Sequence, residues 1–408
     1  MTVQAKNNEK MVHAKSHPAV RINSKRFEQS PYAAAYLQAD TLLGCYCNRF
    51  YPISFGDDVI ELYWKLRRGV MLFDVPEKPL EISGPDAIRL LEKVFTRRIA
   101  DLNQGRAHYA IACTPKGGVL MDGVLIRLAE ERFWYVQADG EFESWLIAHS
   151  DGLDVDISDP QSRVLQVQGP KALAVLDAAT RQSSGGESNE VSVAALMKDF
   201  GYFHARTFNF GGQDLLVTRT GWTGELGFEI YSDKDTDHMA LWNHLLACGK
   251  PFGLENAALE VMGARRVEAG ILDYGTDINR SMTPFDIGLE RFVDFTKADF
   301  VGRAALEAAS KQVRLLGIVS EAGVPRVGAV VSNDQEAIGH VRVGDWSPTL
   351  EKGMAYVLFD QSVEDVDALI GSELSFSNDS GDEYACKVVS LPFYDTSKRL
   401  PRGLPLED

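Results

Sequence analysis

The 408-residue sequence contains nothing close to the roughly 20 unbroken apolar residues that a membrane span requires. Its opening stretch, MTVQAKNNEKMVHAKSHPAVR, also lacks the apolar centre of a secretory signal, so a cytoplasmic protein is expected. Basic charge is in deficit: 42 Lys and Arg stand against 58 Asp and Glu, a formal net charge of −16. Such a field repels polyanions on average, which argues against nucleic acid and anionic membrane as partners. Cysteines are few and odd in number (Cys45, Cys47, Cys113, Cys248 and Cys386), mostly in apolar surroundings, as reduced packing thiols are rather than a disulfide framework. Only Cys45 and Cys47 are close neighbours. A C-x-C without a second Cys pair or a nearby His is a poor metal motif, so no metal site is expected.

What is present describes an ordinary folded chain. Apolar residues make up 45% and charged residues 25%, the balance of a soluble globular protein. At roughly 150 residues per domain, the length suggests two or three domains.

Residues 1 to about 30 are polar and aperiodic and read as a loose arm. From Val59 to Leu72 apolar residues recur at helical spacing, and a strand-like alternation through Leu80 and Ile82 follows. Pro85 and Asp86 then open a helix over DAIRLLEKVF. Tyr109–Cys113 and Val119–Ile126 flank the turn at Pro115–Gly118 as a hairpin, and Phe133–Gln137 supplies another strand. The run Ile82-Ser83-Gly84-Pro85-Asp86-Ala87 is echoed by Val167-Gln168-Gly169-Pro170-Lys171-Ala172, which suggests two related α+β halves. Residues 181–190, RQSSGGESNE, read as a polar surface loop. After Ala305 short strands broken by Gly, Pro and Asn read as a separate β-domain, a barrel or sandwich.

Four segments carry the candidate chemistry. The turn Thr114-Pro115-Lys116-Gly117-Gly118 leads into a strand that presents Asp122. Thr218-Arg219-Thr220-Gly221-Trp222-Thr223-Gly224-Glu225-Leu226-Gly227-Phe228-Glu229-Ile230-Tyr231 joins three glycines, which let the backbone pass close to a ligand, with an aromatic plate and a carboxylate. Such a set suits a flat heterocycle. Ala264-Arg265-Arg266-Val267-Glu268-Ala269-Gly270 reads as a helix end capped by glycine, its arginines equally compatible with an exposed charged face. Tyr274-Gly275-Thr276-Asp277-Ile278 and then Thr283-Pro284-Phe285-Asp286-Ile287-Gly288-Leu289 read as a loop and a Pro-initiated helix.

In this order the four segments resemble the signatures of the glycine-cleavage T-protein family, folate-dependent aminomethyltransferases and demethylases, over about Val59 to Arg399. The resemblance implies an α+β fold, a three-domain cloverleaf of two folate-binding leaves plus a C-terminal β-barrel. The chain then divides into an arm and first strand over 1–50, a folate-binding core over 51–310 and a barrel over 311–408. It also implies tetrahydrofolate as co-substrate in the central opening. Carried across, Glu229 accepts from the amino and ring N–H donors of the pterin, Trp222 and Tyr231 stack against or wall the ring, Arg266 donates to pterin or to a nearby carboxylate, and Asp122 is the catalytic candidate. Lys398 or Arg399 would meet the glutamyl tail.

Trp222, Val293-Asp294 and Pro392-Phe393-Tyr394-Asp395 are most similar to the dimethylsulfoniopropionate demethylases. The leading expectation is therefore a demethylase that moves a methyl group from a small sulfonium acid to tetrahydrofolate, chiefly by removing orientational freedom and water. Two alternatives are a donor of the methoxy- or methylenedioxy-aromatic class, with Tyr46 or His108 as proton source, and the aminomethyl transfer of glycine cleavage with a lipoyl carrier protein. Two departures from family patterns bear on the donor. Met121 stands where T-proteins carry the first of two acids, and Val75-Pro76-Glu77-Lys78-Pro79 is one residue shorter than its demethylase counterpart. The Cys-containing motif of non-catalytic folate-binding relatives is absent.

Overall fold

The structure is a computed structural model that describes residues 27–181, 199–378 and 381–406. Most of the expected arm, and positions 182–190 of the expected surface loop, lie outside the described residues. Strands β1 (Leu42–Tyr46) and β2 (Arg49–Ser54) form an antiparallel hairpin. Cys47 and Asn48 close it with φ angles of 49° and 59°, the left-handed turn that suits the twist of paired strands. The hairpin runs across position 50.

A helix over Val59–Arg68 starts at Asp58, whose carboxylate accepts from the N–H groups of Ile60 and Glu61. It stops at Gly69, short of the expected Leu72, because Met71–Val75 is strand β3. All five residues of β3 are buried, and a strand covered on both faces has no alternation to tell it from the end of a helix.

The chain then crosses to a second sheet. Strands β4 (Lys78–Ser83), β5 (Arg106–Cys113), β6 (Val119–Ala129), β7 (Arg132–Gln137) and β8 (Asp156–Ser158) make a five-stranded antiparallel sheet in the order β5-β6-β7-β4-β8. Helices over 87–94 and 142–149 cover one face through Leu90, Leu91, Val94, Phe142 and Leu146. Strands β9 (Arg163–Gln168), β10 (Ala205–Phe210), β11 (Gln213–Thr218), β12 (Gly227–Ser232) and β13 (Glu255–Ala257) join β3 in a six-stranded sheet, β10-β11-β12-β9-β3-β13. Its helices over 172–181 and 238–249 bury Val175, Leu176, Leu241, Trp242 and Leu245. Side chains of both sheets, among them Phe73, Ile126, Trp134 and Tyr231, meet Met262 of the helix Glu260–Glu268 in a shared core.

The sequence echo is one local structure used twice. Gly84 and Gly169 both have φ 124°, and helices begin at Ala87 and Ala172. A Cβ on either glycine would meet a backbone oxygen, that of Asp154 at 2.7 Å or of Gly69 at 2.5 Å.

The third unit is a closed barrel of β14 (Leu315–Ser320), β15 (Val330–Asn333), β16 (Glu336–Ser347), β17 (Lys352–Phe359), β18 (Glu373–Ser377) and β19 (Glu383–Val389). Strand β14 pairs with both β17 and β19, which removes the open edges a sandwich would keep. Two α+β leaves and a barrel are the architecture expected from the sequence.

The Pro284 helix does not form. The Asp286 carboxylate accepts from both the N–H and the hydroxyl of Thr283, and its carbonyl is taken by the N–H groups of Arg314 and Leu315. A helical hydrogen bond therefore has no acceptor there, and residues 283–289 form turns before a short 3-10 segment at Glu290–Phe292. Among the described residues no helix is long and apolar enough to cross a membrane, and no group of three His, Cys, Asp or Glu could hold a metal ion.

Candidate functional site

Glu229 lies on β12 directly across from Thr218 of β11. Four donors converge on its buried carboxylate: Gln166 Nε2 at 2.9 Å, Thr220 Oγ1 and Tyr231 Oη each at 2.7 Å, and Thr218 Oγ1 at 3.3 Å. Burial raises its pKa and the three hydroxyls pull it back down. Tyr231 departs from the expectation that it walls the ring. Its side chain belongs to the core between the sheets, edge-on to Trp134 with ring centres 5.9 Å apart, and its hydroxyl fixes Glu229.

The glycines around Trp222 also serve another purpose than ligand approach. A Cβ on Gly221 or Gly227 would sit 2.2 Å from the Gln168 amide, and one on Gly224 2.4 Å from the Ala269 Cβ. The loop is drawn tight against the protein's own side chains. Trp222 stands beside Arg266, whose guanidinium carbon is 5.2 Å from the indole centre. Arg266 and Asp277 form a buried ion pair, and Asp277 also accepts from the Asp273 N–H at 2.9 Å. The nearby carboxylate expected for Arg266 is thus its own chain's Asp277, and neither Arg265 nor Arg266 forms an exposed charged face.

Behind this wall Arg265 binds Glu225 at 2.9 Å together with Arg67 at 2.6 Å. It also pairs with Glu268 and donates to the Tyr394 hydroxyl. Glu268 accepts from Tyr63 at 2.8 Å and from Ser347 of the barrel at 2.5 Å. Charges from the 59–68 helix, the second leaf and the 260–268 helix therefore neutralise one another in one buried network, to which the barrel and the C-terminal segment add the hydroxyls of Ser347 and Tyr394.

Asp122 sits on β6 opposite Ile111. Its Oδ2 accepts from the Tyr109 hydroxyl at 2.6 Å, and its buried Oδ1 has no partner. Burial pushes its carboxyl up to about 6. Met121 points to the other face of the strand and is 3% exposed within the core under the helices of the first leaf. A carboxylate at 121 would face that apolar core, so Met121 removes no charge from the site and does not discriminate between donors.

Around Asp122 and Glu229 lie further acceptor atoms that are buried and unpartnered: Glu77 Oε2, Gln137 Oε1, Gln166 Oε1 and Asp277 Oδ1. Glu77 occupies the crossing from β3 to β4, and the Tyr46 hydroxyl of the β1–β2 hairpin feels the charges of Glu77, Asp122 and Asp273 together. The residues thus mark one candidate recess where the two leaves, the hairpin and the 260–278 segment meet. Buried acceptors without donors are costly unless a ligand supplies the donors. A reduced pterin, rich in N–H groups on one edge, has the complementary chemistry.

Other expected residues lie elsewhere. His108 feels Arg97, Arg106 and Asp101 instead of the recess carboxylates, and burial lowers it to about 4. Lys398 donates to the Ala269 carbonyl and is lowered to about 8 by burial, while Arg399 Nε donates to the Pro405 carbonyl at 2.6 Å. Both cations are engaged by the chain itself rather than held out for a glutamyl tail. A separate outer groove of about 630 Å³, lined by residues including Glu81, Arg127, Arg132, Trp134 and Arg206, has none of Asp122, Trp222, Glu229 or Arg266 in its lining.

The sequence reading assigned no role to Glu77, Tyr109, Gln137, Gln166 or Asp277. One signal was available: Gln166 and Gln168 alternate with valine and leucine in a strand whose residues 164–168 are all buried, and two buried amides in such a strand must have partners.

Comparison with known proteins matches this geometry to a family. Residues 40–297 match the model of the GCVT N-terminal domain, and residues 313–395 match that of the glycine cleavage T-protein C-terminal barrel domain. The aminomethyltransferase of Streptomyces coelicolor is 33% identical over 361 residues, 85% of this chain and 92% of that protein. That of Bacillus subtilis is 31% identical over 354 residues, 84% and 92% of the two chains. Among solved structures, the glycine cleavage system aminomethyltransferase T from Bartonella henselae aligns with a TM-score of 0.76 at 26% identity, covering 93% of this chain and 100% of that one. The chain belongs to the glycine-cleavage T-protein family and is a tetrahydrofolate-dependent one-carbon transferase.

Proposed function

We propose that the protein is an aminomethyltransferase of the glycine-cleavage kind, taking the aminomethyl group from a lipoyl carrier protein, releasing its nitrogen as ammonia and passing the carbon to tetrahydrofolate. The observation that carries this reading is the recess lined by unpartnered buried acceptors around Glu229 and Asp122. Glu229, whose Oε2 is taken by three hydroxyls, has on Oε1 only the Gln166 amide and so offers that oxygen to an N–H of a pterin, with the Trp222 indole as a flat apolar surface. Tetrahydrofolate supplies, when bound, the amine nitrogens that receive the one-carbon unit. Asp122, ionised at neutral pH, keeps Oδ1 unpartnered for an amine N–H and so orients the reacting nitrogen.

The names of the relatives, rather than the site, favour an amine donor over the sulfonium acid expected from the sequence. Met121 carries no weight against aminomethyl transfer, since its side chain lies in the leaf core. The relatives that align over most of their length bear the name aminomethyltransferase.

The test is to incubate the pure protein and tetrahydrofolate separately with an aminomethyl-loaded lipoyl carrier protein, dimethylsulfoniopropionate and a methoxy-aromatic. Ammonia and 5,10-methylenetetrahydrofolate from the first are expected. Formation of 5-methyltetrahydrofolate from either of the others, with no turnover of the carrier, overturns the reading in favour of demethylation.

A further inference from the structure

The recess holds two carboxyl groups that are not held alike. Gln166 Nε2 spans them, donating to Glu229 Oε1 at 2.9 Å and to Glu77 Oε1 at 3.3 Å. Glu229 has three hydroxyl donors in addition; Glu77 has only the amide and its own backbone N–H, and its Oε2 is buried with no partner. The nearest cation brings little help, because Arg49 Nη1 donates to the backbone carbonyl of Glu77 at 2.7 Å and its Nε lies 3.5 Å from Glu28. Two adjacent carboxyl groups with unequal donor sets share a proton, and it stays on the poorer-served group.

We propose that Glu77 is a second ring-binding residue, a neutral carboxylic acid that donates from Oε2 to an acceptor atom of the bound pterin while Glu229, across Gln166, accepts a ring N–H on Oε1. This rests on the reading that the recess receives tetrahydrofolate. It gives the site a polarity along its length, acceptor at one end and donor at the other, and so selects a ring that carries N–H groups beside a carbonyl or imine nitrogen. A carboxylic acid serves as such a donor only where its surroundings keep it protonated at neutral pH.

The groups that face Glu77 mostly raise its carboxyl, against its backbone hydrogen bond. Burial acts first, and Glu229 of β12 and Asp74 of β3 add like charge; Arg49 of the hairpin opposes them. Tyr46, Cys47 and Tyr51 of the hairpin and Tyr231 of β12 also lie within its field, all raised away from ionisation. The Glu77 carboxyl is thereby pushed up to about 8. Lys398 is lowered to about the same value and would titrate over the same range, so a variant of Glu77 has to separate the two.

The experiment measures tetrahydrofolate affinity calorimetrically from pH 6 to about 9.5 for the wild type, Glu77→Gln, Glu77→Ala and Glu229→Gln. The wild type is expected to bind evenly up to about pH 8 and then weaken toward a limiting slope of about tenfold per pH unit, the signature of one required proton. Glu77→Gln, which keeps an N–H donor and cannot ionise, should bind as the wild type does at pH 7 and lose the pH dependence. Glu77→Ala should bind about tenfold more weakly at every pH, the loss of one neutral hydrogen bond. The ligand-free wild type at pH 7 should also give a protonated-carboxyl infrared band that is diminished in Glu77→Gln. Wild-type affinity in Glu77→Ala, or a loss in Glu77→Gln as large as in Glu77→Ala, overturns the proposal while leaving the folate site standing. Failure of the wild type to bind tetrahydrofolate at any pH overturns both.

Discussion

Replacing Asp122 by Asn should make the protein more stable and less active at once. In the folded chain the Asp122 carboxyl is raised from 3.8 to about 6, with burial as the first cause and the fields of Asp273 and Asp277 adding to it. The sign follows from which state releases its proton first. Below 3.8 the group is protonated in both states and there is no penalty. Between 3.8 and about 6 the unfolded chain ionises while the folded one holds its proton, and stability falls as pH rises; above about 6 the full penalty stands. At about 1.4 kcal/mol per pH unit, that interval corresponds to about 3 kcal/mol at neutral pH. Asparagine retains an oxygen for the Tyr109 hydroxyl and carries no charge, so the variant escapes the penalty. Urea denaturation of both proteins from pH 3.5 to 7.5 should give equal stabilities at the acid end and an advantage of about 3 kcal/mol for Asp122→Asn at the neutral end. Turnover should fall much more than tetrahydrofolate affinity. A variant less stable than the wild type at pH 7.5, or a difference independent of pH, would refute the argument; equal losses of turnover and affinity would reduce Asp122 to a binding group.

Three further outcomes follow from the geometry. Glu229→Gln should weaken tetrahydrofolate binding by about ten- to a hundredfold, the worth of one charged hydrogen bond. Its amide would also confront the four donors now aimed at the carboxylate, so the melting temperature should drop as well; unchanged affinity removes Glu229 from the site. Arg266→Met leaves the buried Asp277 carboxyl without its cation and should destabilise by about 3–5 kcal/mol, with much of that recovered in the Arg266→Met/Asp277→Asn double variant; additive losses in a denaturation cycle would count against the pairing. Gly118→Ala places a Cβ 2.0 Å from the Arg280 carbonyl oxygen and should destabilise by about 1–3 kcal/mol by prising the hairpin turn from the 280 loop, which thermal melts would detect; an unchanged melt would count against that contact.

Much of the frame was legible where a local rule was enough. The Pro115–Gly118 turn, the paired Gly-Pro strand-to-helix transitions and the punctuated strands after Leu315 each follow from residues close in sequence. Glu229 and Trp222 stood out for the same reason, within one short motif. The misreadings have physical causes. Strand β3 was taken for the tail of a helix because burial on both faces erases alternation, and Pro284 was taken for a helix start because the acceptors that Asp286 withdraws are claimed from Arg314 and Leu315, outside any local window. The glycines near Trp222 looked like space for a ligand, whereas Gln168 and Ala269 occupy it. Glu77 and Gln166 escaped notice because neither is unusual in its own segment; they gain meaning only when β9 and β12 pair and the β3–β4 crossing is folded over them.

That crossing sets a limit on how the molecule can be taken apart. Consecutive strands of the chain, β3 and β4, belong to different leaves, so no single break of the polypeptide yields two whole sheets. An excised first leaf would carry along a strand stripped of its partners, and an excised second leaf would be missing that strand from between β9 and β13. The leaves are stitched rather than strung, since the chain enters the second leaf, leaves it for the first and returns.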